Sequence, residues 1–346
     1  MSKHFHQLTV KEIIKETLNT VSIVFNIPDA IKADFSYESG QYLTLRKTIN
    51  GEDVRRSYSI SSCPNVDEDI KVTSKMIPDG KMSTYLFKEL GVGDELEVMS
   101  PDGNFTLKNI DTPLVLFAAG SGITPIISIL KGALMNGTQT VHLYYGNRSE
   151  EEIIFKEEFS RLRDQYANRL MVQHFLSSNG ERLDVDRVKS IINGIGESKN
   201  QSYYFVCGPE GMIQAVKSGL ESSAVNSNQI HIEYFASPKS EPKVEVESTN
   251  ASAEVNDIVV VIDDEEHEIS LIPGEAILDG ASRIGIDPPF SCQSGVCTTC
   301  KAKLLSGEVN MDNNFGLGED EIEEGYVLTC IGTPKTAGVK VSWDEV

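Results

Sequence analysis

Cys292-Gln293-Ser294-Gly295-Val296-Cys297-Thr298-Thr299-Cys300 is the stretch on which the reading of the chain turns. Its three cysteines are spaced C-x4-C-x2-C, and a fourth, Cys330, follows after 29 intervening residues. Zinc ribbons and fingers place their ligands as two short pairs, and a three-plus-one pattern fits them poorly. It is the ligand spacing of a [2Fe–2S] cluster, in which four thiolates hold the iron. Gly295 and the small Ser294, Thr298 and Thr299 let the backbone approach the sulfurs, and its N–H groups can donate to them. Cys292, Cys297, Cys300 and Cys330 are therefore the expected metal ligands.

The 346 residues can build two or three domains with cores of their own. Composition is ordinary for a globular protein, but the net charge of −21 is not. From Asn256 to the end there are 18 Asp/Glu against 5 Lys/Arg, so the cysteine-bearing quarter carries most of the excess. Such a chain has no basic face for nucleic acid or an anionic membrane. An acidic surface of this kind suits docking of a basic redox partner. The apolar run Pro113–Leu130 is broken by Gly120-Ser121-Gly122 and Pro125. It reads as a strand, a glycine turn and a helix, with no membrane insertion. The N-terminus shows no apolar signal region. A cytoplasmic, reducing setting is expected, in which cysteines bind metal instead of pairing.

Residues up to 109 alternate in short apolar runs (Gln7–Val10, Thr20–Phe25, Tyr42–Arg46, Ile70–Met76, Glu95–Met99), with one helix at Thr84–Leu90. This predicts a small antiparallel barrel. From Leu114 strands alternate with helices. Strands are expected at Leu114–Ala119, Thr140–Tyr145, Met171–Leu176, Tyr203–Val206 and Ile230–Phe235. Helices are expected at Pro125–Met135, Glu150–Gln165, Val185–Asn193 and Gly211–Ser222. That is the pattern of a parallel α/β sheet. Residues 237–255 are Ser, Pro, Lys, Glu, Ala and Asn with little to bury, and read as a linker. Beyond it, a hairpin at Ile258–Ile262 and Glu268–Ile272, a helix at Ala276–Ile284 and strands at Ala302–Leu305 and Lys340–Trp343 surround the cysteine loop. The domains are thus expected at 1–109, 110–236 and 256–346.

Gly285-Ile286-Asp287, the cysteine loop and Tyr326-Val327-Leu328-Thr329-Cys330 together resemble plant-type ferredoxins. The resemblance implies a β-grasp fold for the last ninety or so residues. Upstream, Arg56-Ser57-Tyr58-Ser59-Ile60-Ser61-Ser62 offers a guanidinium fork, hydroxyls and an aromatic able to lie on a flat ring. As a short motif standing alone it reads more readily as a polar strand edge with one Tyr. Gly40-Gln41-Tyr42 precedes it, and Gly80-Lys81-Met82-Ser83-Thr84 opens a helix whose first amides suit pyrophosphate. The set resembles the FAD barrel of the ferredoxin–NADP reductase superfamily. By that resemblance Arg56 and Ser57 hold FAD, Tyr58 stacks on its isoalloxazine and Ser59 sits near N5. Gly80, Met82 and Ser83 then serve the pyrophosphate.

Ala118-Ala119-Gly120-Ser121-Gly122-Ile123-Thr124-Pro125 is a strand, a glycine turn and a helix start. It is not the G-x-G-x-x-G dinucleotide fingerprint. It resembles the G-x-G-x-x-P turn of the same superfamily, which implicates Gly120, Ser121, Gly122 and Thr124 in binding NADPH or NADH. Tyr145-Gly146-Asn147-Arg148 falls where the family places the adenosine ribose. Cys207-Gly208-Pro209-Glu210-Gly211-Met212 falls near the nicotinamide, which gives Cys207 a catalytic place beside Tyr58 and Ser59. Without the family, Cys207 reads as a buried strand-end thiol. Glu233-Tyr234-Phe235 closes the domain, where the family supplies an aromatic or acidic group to the flavin; Phe235 is the candidate. Arg148, with Arg182, could pair with a 2′-phosphate, and no acidic residue replaces Arg148, which favours NADPH.

The order of barrel, nicotinamide domain, linker and ferredoxin resembles oxygenase reductases. In particular the chain resembles the reductase subunits of phenylacetyl-CoA epoxidases, at Arg55–Ile60, Ala118–Pro125, Tyr145–Arg148 and Gly325–Cys330. That implies a cytoplasmic oxidoreductase of phenylacetate catabolism serving a di-iron oxygenase: NAD(P)H gives a hydride to FAD, and single electrons leave through the cluster. The alternatives are a reductase for another oxygenase or iron–sulfur acceptor, and a redox sensor that does not turn over NAD(P)H.

Overall fold

The computed structural model describes residues 4–108, 111–237 and 256–346. His6–Phe235 form one compact unit and Ala236–Val346 belong to a second. The boundary expected at 109/110 and the linker expected at 237–255 lie outside the described residues, except for Ser237.

The first unit opens with six antiparallel strands: β1 (Phe5–Thr17), β2 (Thr20–Asn26), β3 (Tyr42–Ile49), β4 (Glu52–Ser59), β5 (Lys71–Lys75) and β6 (Glu95–Met99). Their order is β4-β3-β6-β1-β2-β5. A bridge between Ile60 and Val72 joins the two edges and closes the sheet. Leu8, Ile23, Leu43, Leu45, Ile60 and Leu96 fill it and are fully buried. Helix α1 (Lys81–Lys88) starts three residues before the predicted Thr84. The sequence marks β4 only as a possible strand edge. Its alternation is hidden by Arg55 and Arg56, yet it pairs with β3 over its full length.

The remainder of this unit is a parallel sheet of β7 (Leu114–Ala119), β8 (Val141–Asn147), β9 (Leu170–Leu176), β10 (Tyr203–Cys207) and β11 (Ile230–Glu233), ordered β11-β10-β7-β8-β9. Helices α2 (Ile123–Asn136), α3 (Lys156–Gln165), α4 (Val185–Ile195) and α5 (Glu210–Ser222) connect them. α2 is buried all round because it packs on both the sheet and the barrel: Ser128 Oγ donates to Ser62 O at 2.6 Å. Its Lys131 is 3% exposed and pairs with Asp67 of the barrel at 2.6 Å and Glu158 of α3 at 3.0 Å. The helix expected at Glu150–Gln165 is broken. A 3₁₀ turn at Glu150–Glu152 gives way to Ile153-Ile154-Phe155, all buried, and Phe155 takes φ 61° at the start of α3. Ile153, Ile154 and Phe155 all join the core cluster of the parallel sheet, and the backbone turns to deliver them there.

In the second unit, β12 (Asn256–Ile262) and β13 (Glu265–Leu271) form a hairpin with Asp263 and Asp264 at φ 54° and 62°, a two-residue turn of the I′ kind. Asp344 caps it, accepting from both turn N–H groups at 2.9 Å. α6 (Ile277–Arg283) and the strands β14 (Lys301–Ser306), β15 (Val309–Met311), β16 (Tyr326–Leu328), β17 (Gly332–Pro334) and β18 (Lys340–Ser342), with α7 (Glu319–Glu323), complete it. The main sheet runs β13-β12-β18-β14-β16, with α6 against it and Trp343 in the core. β15, β16, β17 and α7 are too short to show a period in the sequence. Among the described residues no helix is long and apolar enough to cross a membrane.

Candidate functional site

The parallel sheet defines where a ligand can lie. From β7 the chain moves outward to β8 and β9, then returns to the other side of β7 for β10 and β11. Loops after β7 and β10 therefore diverge, and the crevice between them is the switch point at which open α/β sheets bind ligands. Gly120–Gly122 and Cys207–Pro209 form its two lips. They touch backbone to backbone: a Cβ on Gly122 would sit 2.1 Å from Cys207 O, and one on Gly208 3.1 Å from Ala119 N. Thr124 Oγ1 donates to Ser121 O at 3.0 Å, and Tyr145 Oη to Gly120 O at 3.0 Å, which fixes the turn. Pro209 caps α5. These predicted residues are brought together at one place.

Parallel register sets Cys207 beside both Ala118 and Glu233. Glu233 Oε2 is 3.5 Å from Ser59 Oγ and 3.9 Å from Cys207 Sγ. So the end of β4 in the barrel meets the ends of β10 and β11 in a shared polar cluster. Burial pushes the Glu233 carboxyl up to about 8 and the Cys207 thiol well above its usual range. Both groups hold their protons at neutral pH. β11 is the sheet's edge, so part of Glu233 is exposed; its carboxyl head is the part enclosed by Ser59 and Cys207. The sequence points to Phe235 as the group serving the flavin; the polar cluster itself holds Glu233. Phe235 ends the strand expected at Ile230–Phe235, but β11 stops at Glu233, which leaves Phe235 beyond it and 46% exposed. An acid ending an otherwise apolar strand is the signal that could have found Glu233.

On the barrel, Leu45 pairs with Arg56 and Leu43 with Tyr58. Arg55 is 2% exposed and committed to Asp53 through Nε and Nη2. Arg56 is exposed, with Nη1 on Arg55 O at 2.7 Å. Of the two arginines only Arg56 is placed to meet a phosphate. Ser57 is half-buried with its hydroxyl 3.5 Å from that of Thr44. Tyr58 packs on the barrel core, and burial raises its hydroxyl to about 12, so it presents a neutral ring. Gly80 precedes α1 without a side-chain cap, so the first-turn N–H groups face outward as anion donors. Met82 and Ser83 are buried. Ser83 Oγ accepts from Ile77 N and bonds Gly80 O, both at 3.3 Å, so these two residues can offer an anion only their backbone.

In the second unit the four cysteines converge. Cys292 lies in hydrogen-bonding reach of Cys297 and Cys330, and Cys300 of Cys330. The sulfurs adjoin in a chain. Among the described residues no three His, Cys, Asp or Glu gather as for a single ion; a two-iron cluster takes two thiolates on each iron. Ser294 N donates to Cys292 Sγ at 3.4 Å. Gly295 has φ 75°, and a Cβ there would lie 2.6 Å from Asn313 O. Thr329 Oγ1 donates to Cys300 O at 2.9 Å, tying the loop to the turn after β16 that carries Cys330. Leu317, Leu328 and Cys300 make an apolar bed beneath. The donor set and its backing fit the cluster.

A barrel, a switch-point crevice and a four-thiolate loop define a flavin- and iron–sulfur-containing NAD(P)H reductase. Comparison with known families agrees: residues 7–107 match the oxidoreductase FAD-binding domain, 116–218 the oxidoreductase NAD-binding domain and 260–335 the 2Fe-2S iron-sulfur cluster binding domain. The chain is 38% identical to the ferredoxin reductase component of 3-ketosteroid-9-alpha-monooxygenase from Rhodococcus rhodochrous, covering 97% of this chain and 96% of that protein. It is 35% identical to a 1,2-phenylacetyl-CoA epoxidase subunit from Escherichia coli K12, covering 98% of each. Phthalate dioxygenase reductase shares the fold, with a TM-score of 0.60 at 23% identity and 98% coverage of each chain. The chain belongs to the ferredoxin–NADP reductase superfamily with a C-terminal ferredoxin domain, among the reductase components of oxygenase systems.

Proposed function

We propose that Ser59, Cys207 and Glu233 surround the point where hydride enters, and that this cluster carries the functional reading. Two domains of the first unit contribute to it, as transfer between two bound cofactors requires. FAD when bound accepts the hydride pair and passes electrons on singly. Arg56, Ser57 and the first-turn amides at Gly80, Met82 and Ser83 hold its phosphates, and the Tyr58 ring lies against its flat face. Gly120, Ser121, Gly122 and Thr124 receive the nucleotide pyrophosphate, and Gly208 and Pro209 flank the nicotinamide. Ser59 donates to Glu233, and the protonated Glu233 and Cys207 keep the cluster neutral, so no fixed negative charge opposes hydride arrival. Arg148, 79% exposed at the end of β8, faces the 2′-phosphate of NADPH. Cys292, Cys297, Cys300 and Cys330 hold the cluster. The run Glu319–Glu324 on α7, with Ile322 exposed beside it, receives a basic acceptor.

The acceptor is an oxygenase component. The match to an epoxidase subunit supports a phenylacetyl-CoA epoxidase-type di-iron enzyme. Matches of 38% and 36% to steroid monooxygenase components support a second reading at similar strength. The test is an anaerobic titration with NADH and NADPH, followed by turnover with each oxygenase. Cys297→Ser should abolish oxygenase reduction while flavin reduction by NAD(P)H survives. Normal oxygenase reduction by that variant would refute the route.

A further inference from the structure

Three acids, Glu150, Glu151 and Glu152, lie just beyond Arg148 along the chain. A guanidinium meant for a phosphate is usually spoiled by such neighbours, because a carboxylate competes for the same fork. Here each acid has another cation or donor to engage. Glu150 pairs with Lys156 at 2.6 Å, and Glu151 accepts from Ser149 Oγ at 2.6 Å. Glu152 is shared. Its Oε1 lies 3.4 Å from Arg148 Nε, and its Oε2 lies 2.8 Å from Lys75 Nζ. The Lys75 contact is the shorter and drier one: Lys75 is 17% exposed and Glu152 23%, against 79% for Arg148. Lys75 ends β5, so the barrel reaches across to the acid that would otherwise claim the arginine of the neighbouring domain.

We infer that Lys75 is a specificity-determining positioning residue for the nucleotide: by holding Glu152 it frees Arg148 for the 2′-phosphate of NADPH. The inference rests on the reading of Arg148 given above. With Lys75 in place, Glu152 carries little net charge toward Arg148, and Ser178 N, bonded to Arg148 O at 2.9 Å, keeps the strand end in position. Without Lys75 the carboxylate turns its full charge on Arg148 and repels the incoming phosphate. NADH has no 2′-phosphate and is indifferent to the exchange. Selectivity in one domain is thereby set by a side chain of the other.

The test measures KM and kcat for NADPH and NADH, with ferricyanide as acceptor, on the full holoprotein. Lys75→Met should raise the NADPH KM roughly fivefold, the factor equivalent to ~1 kcal/mol, with NADH KM and both kcat values within twofold. Lys75→Arg should restore it. Glu152→Gln should lower the NADPH KM, and Lys75→Met added to Glu152→Gln should have no further effect, since Lys75 acts only through Glu152. Equal rises for both nucleotides, or a Lys75 effect that persists without Glu152, overturn the inference. Arg148→Ala separates the two layers. If it raises the NADPH KM but Lys75→Met does not, the Lys75 role alone fails; if it changes neither nucleotide, the Arg148 reading fails and takes the inference with it.

Discussion

Glu233→Gln isolates the buried carboxyl enclosed by Ser59 and Cys207. In the folded chain Glu233 keeps its proton up to about pH 8, while its ordinary value is 4.5. Between these values the unfolded chain has released the proton and the folded chain has not. The folded state binds more protons, so stability falls as pH rises through the window and is level above it. A tenfold change in proton affinity is worth about 1.36 kcal/mol, so a fully dry site would lose roughly 5 kcal/mol across the window. Exposure along the edge strand reduces this to about 2–4 kcal/mol. For a unit the size of His6–Phe235 each kcal/mol moves the melting temperature by about 2–4 °C. The assay is thermal melting of holoprotein, wild type and Glu233→Gln, from pH 5 to 9. The wild type should lose about 4–16 °C relative to the variant as pH rises. Gln carries no proton to lose, so its own curve lacks this component. Parallel curves for the two proteins would refute a neutral, buried Glu233.

Gly122→Ala places a methyl 2.1 Å from Cys207 O, a backbone atom that cannot step aside. It should cost about 1–3 kcal/mol of stability and slow flavin reduction by NAD(P)H in stopped flow, while dithionite-reduced protein passes electrons normally. Lys131→Met strands Asp67 and Glu158 without their shared cation. Removing one partner of a buried ion pair costs about 3–5 kcal/mol, read as a lower urea midpoint for flavin release. Gly295→Ala forces φ 75° on alanine and drives its methyl to 2.6 Å from Asn313 O; purified protein should show reduced iron content and visible absorbance, with flavin content unchanged.

Much of the fold was legible because it rests on period and punctuation. β6 and β7 fall where alternation and apolar runs placed them. The break at Phe155 was not read because most of Glu150–Gln165 is charged helix-forming sequence, and the run Ile153-Ile154-Phe155 gains its meaning only from the core it joins. The cysteine loop could be read outright, since ligand spacing is local. Glu233 stood out only as an acid at a strand end; its meaning comes from Ser59, 174 residues away. Lys75 was invisible for the same reason: nothing in a short polar strand marks a lysine as the partner of an acid in another domain. Arg55 and Arg56 were adjacent letters until strand pairing committed one to Asp53 and left the other exposed.

The contacts that sequence could not show share a purpose. Ser59 with Glu233, Ser62 with Ser128, Asp67 with Lys131 and Lys75 with Glu152 all join the barrel to the parallel sheet. All are polar, and three involve charge or a carboxyl. As sources of stability such pairs are poor, since taking charges out of water costs about what their attraction returns. They are directional, however, and an apolar seam is not. Hydride transfer needs donor and acceptor atoms within about 3–3.5 Å, and in this protein the two cofactors belong to different domains. An apolar interface of equal area could slide by an ångström at little cost. Polar pins set at the barrel's β4 end and along α2 cannot, because each slip breaks a bond to a half-dry partner. The interface is built to hold a distance.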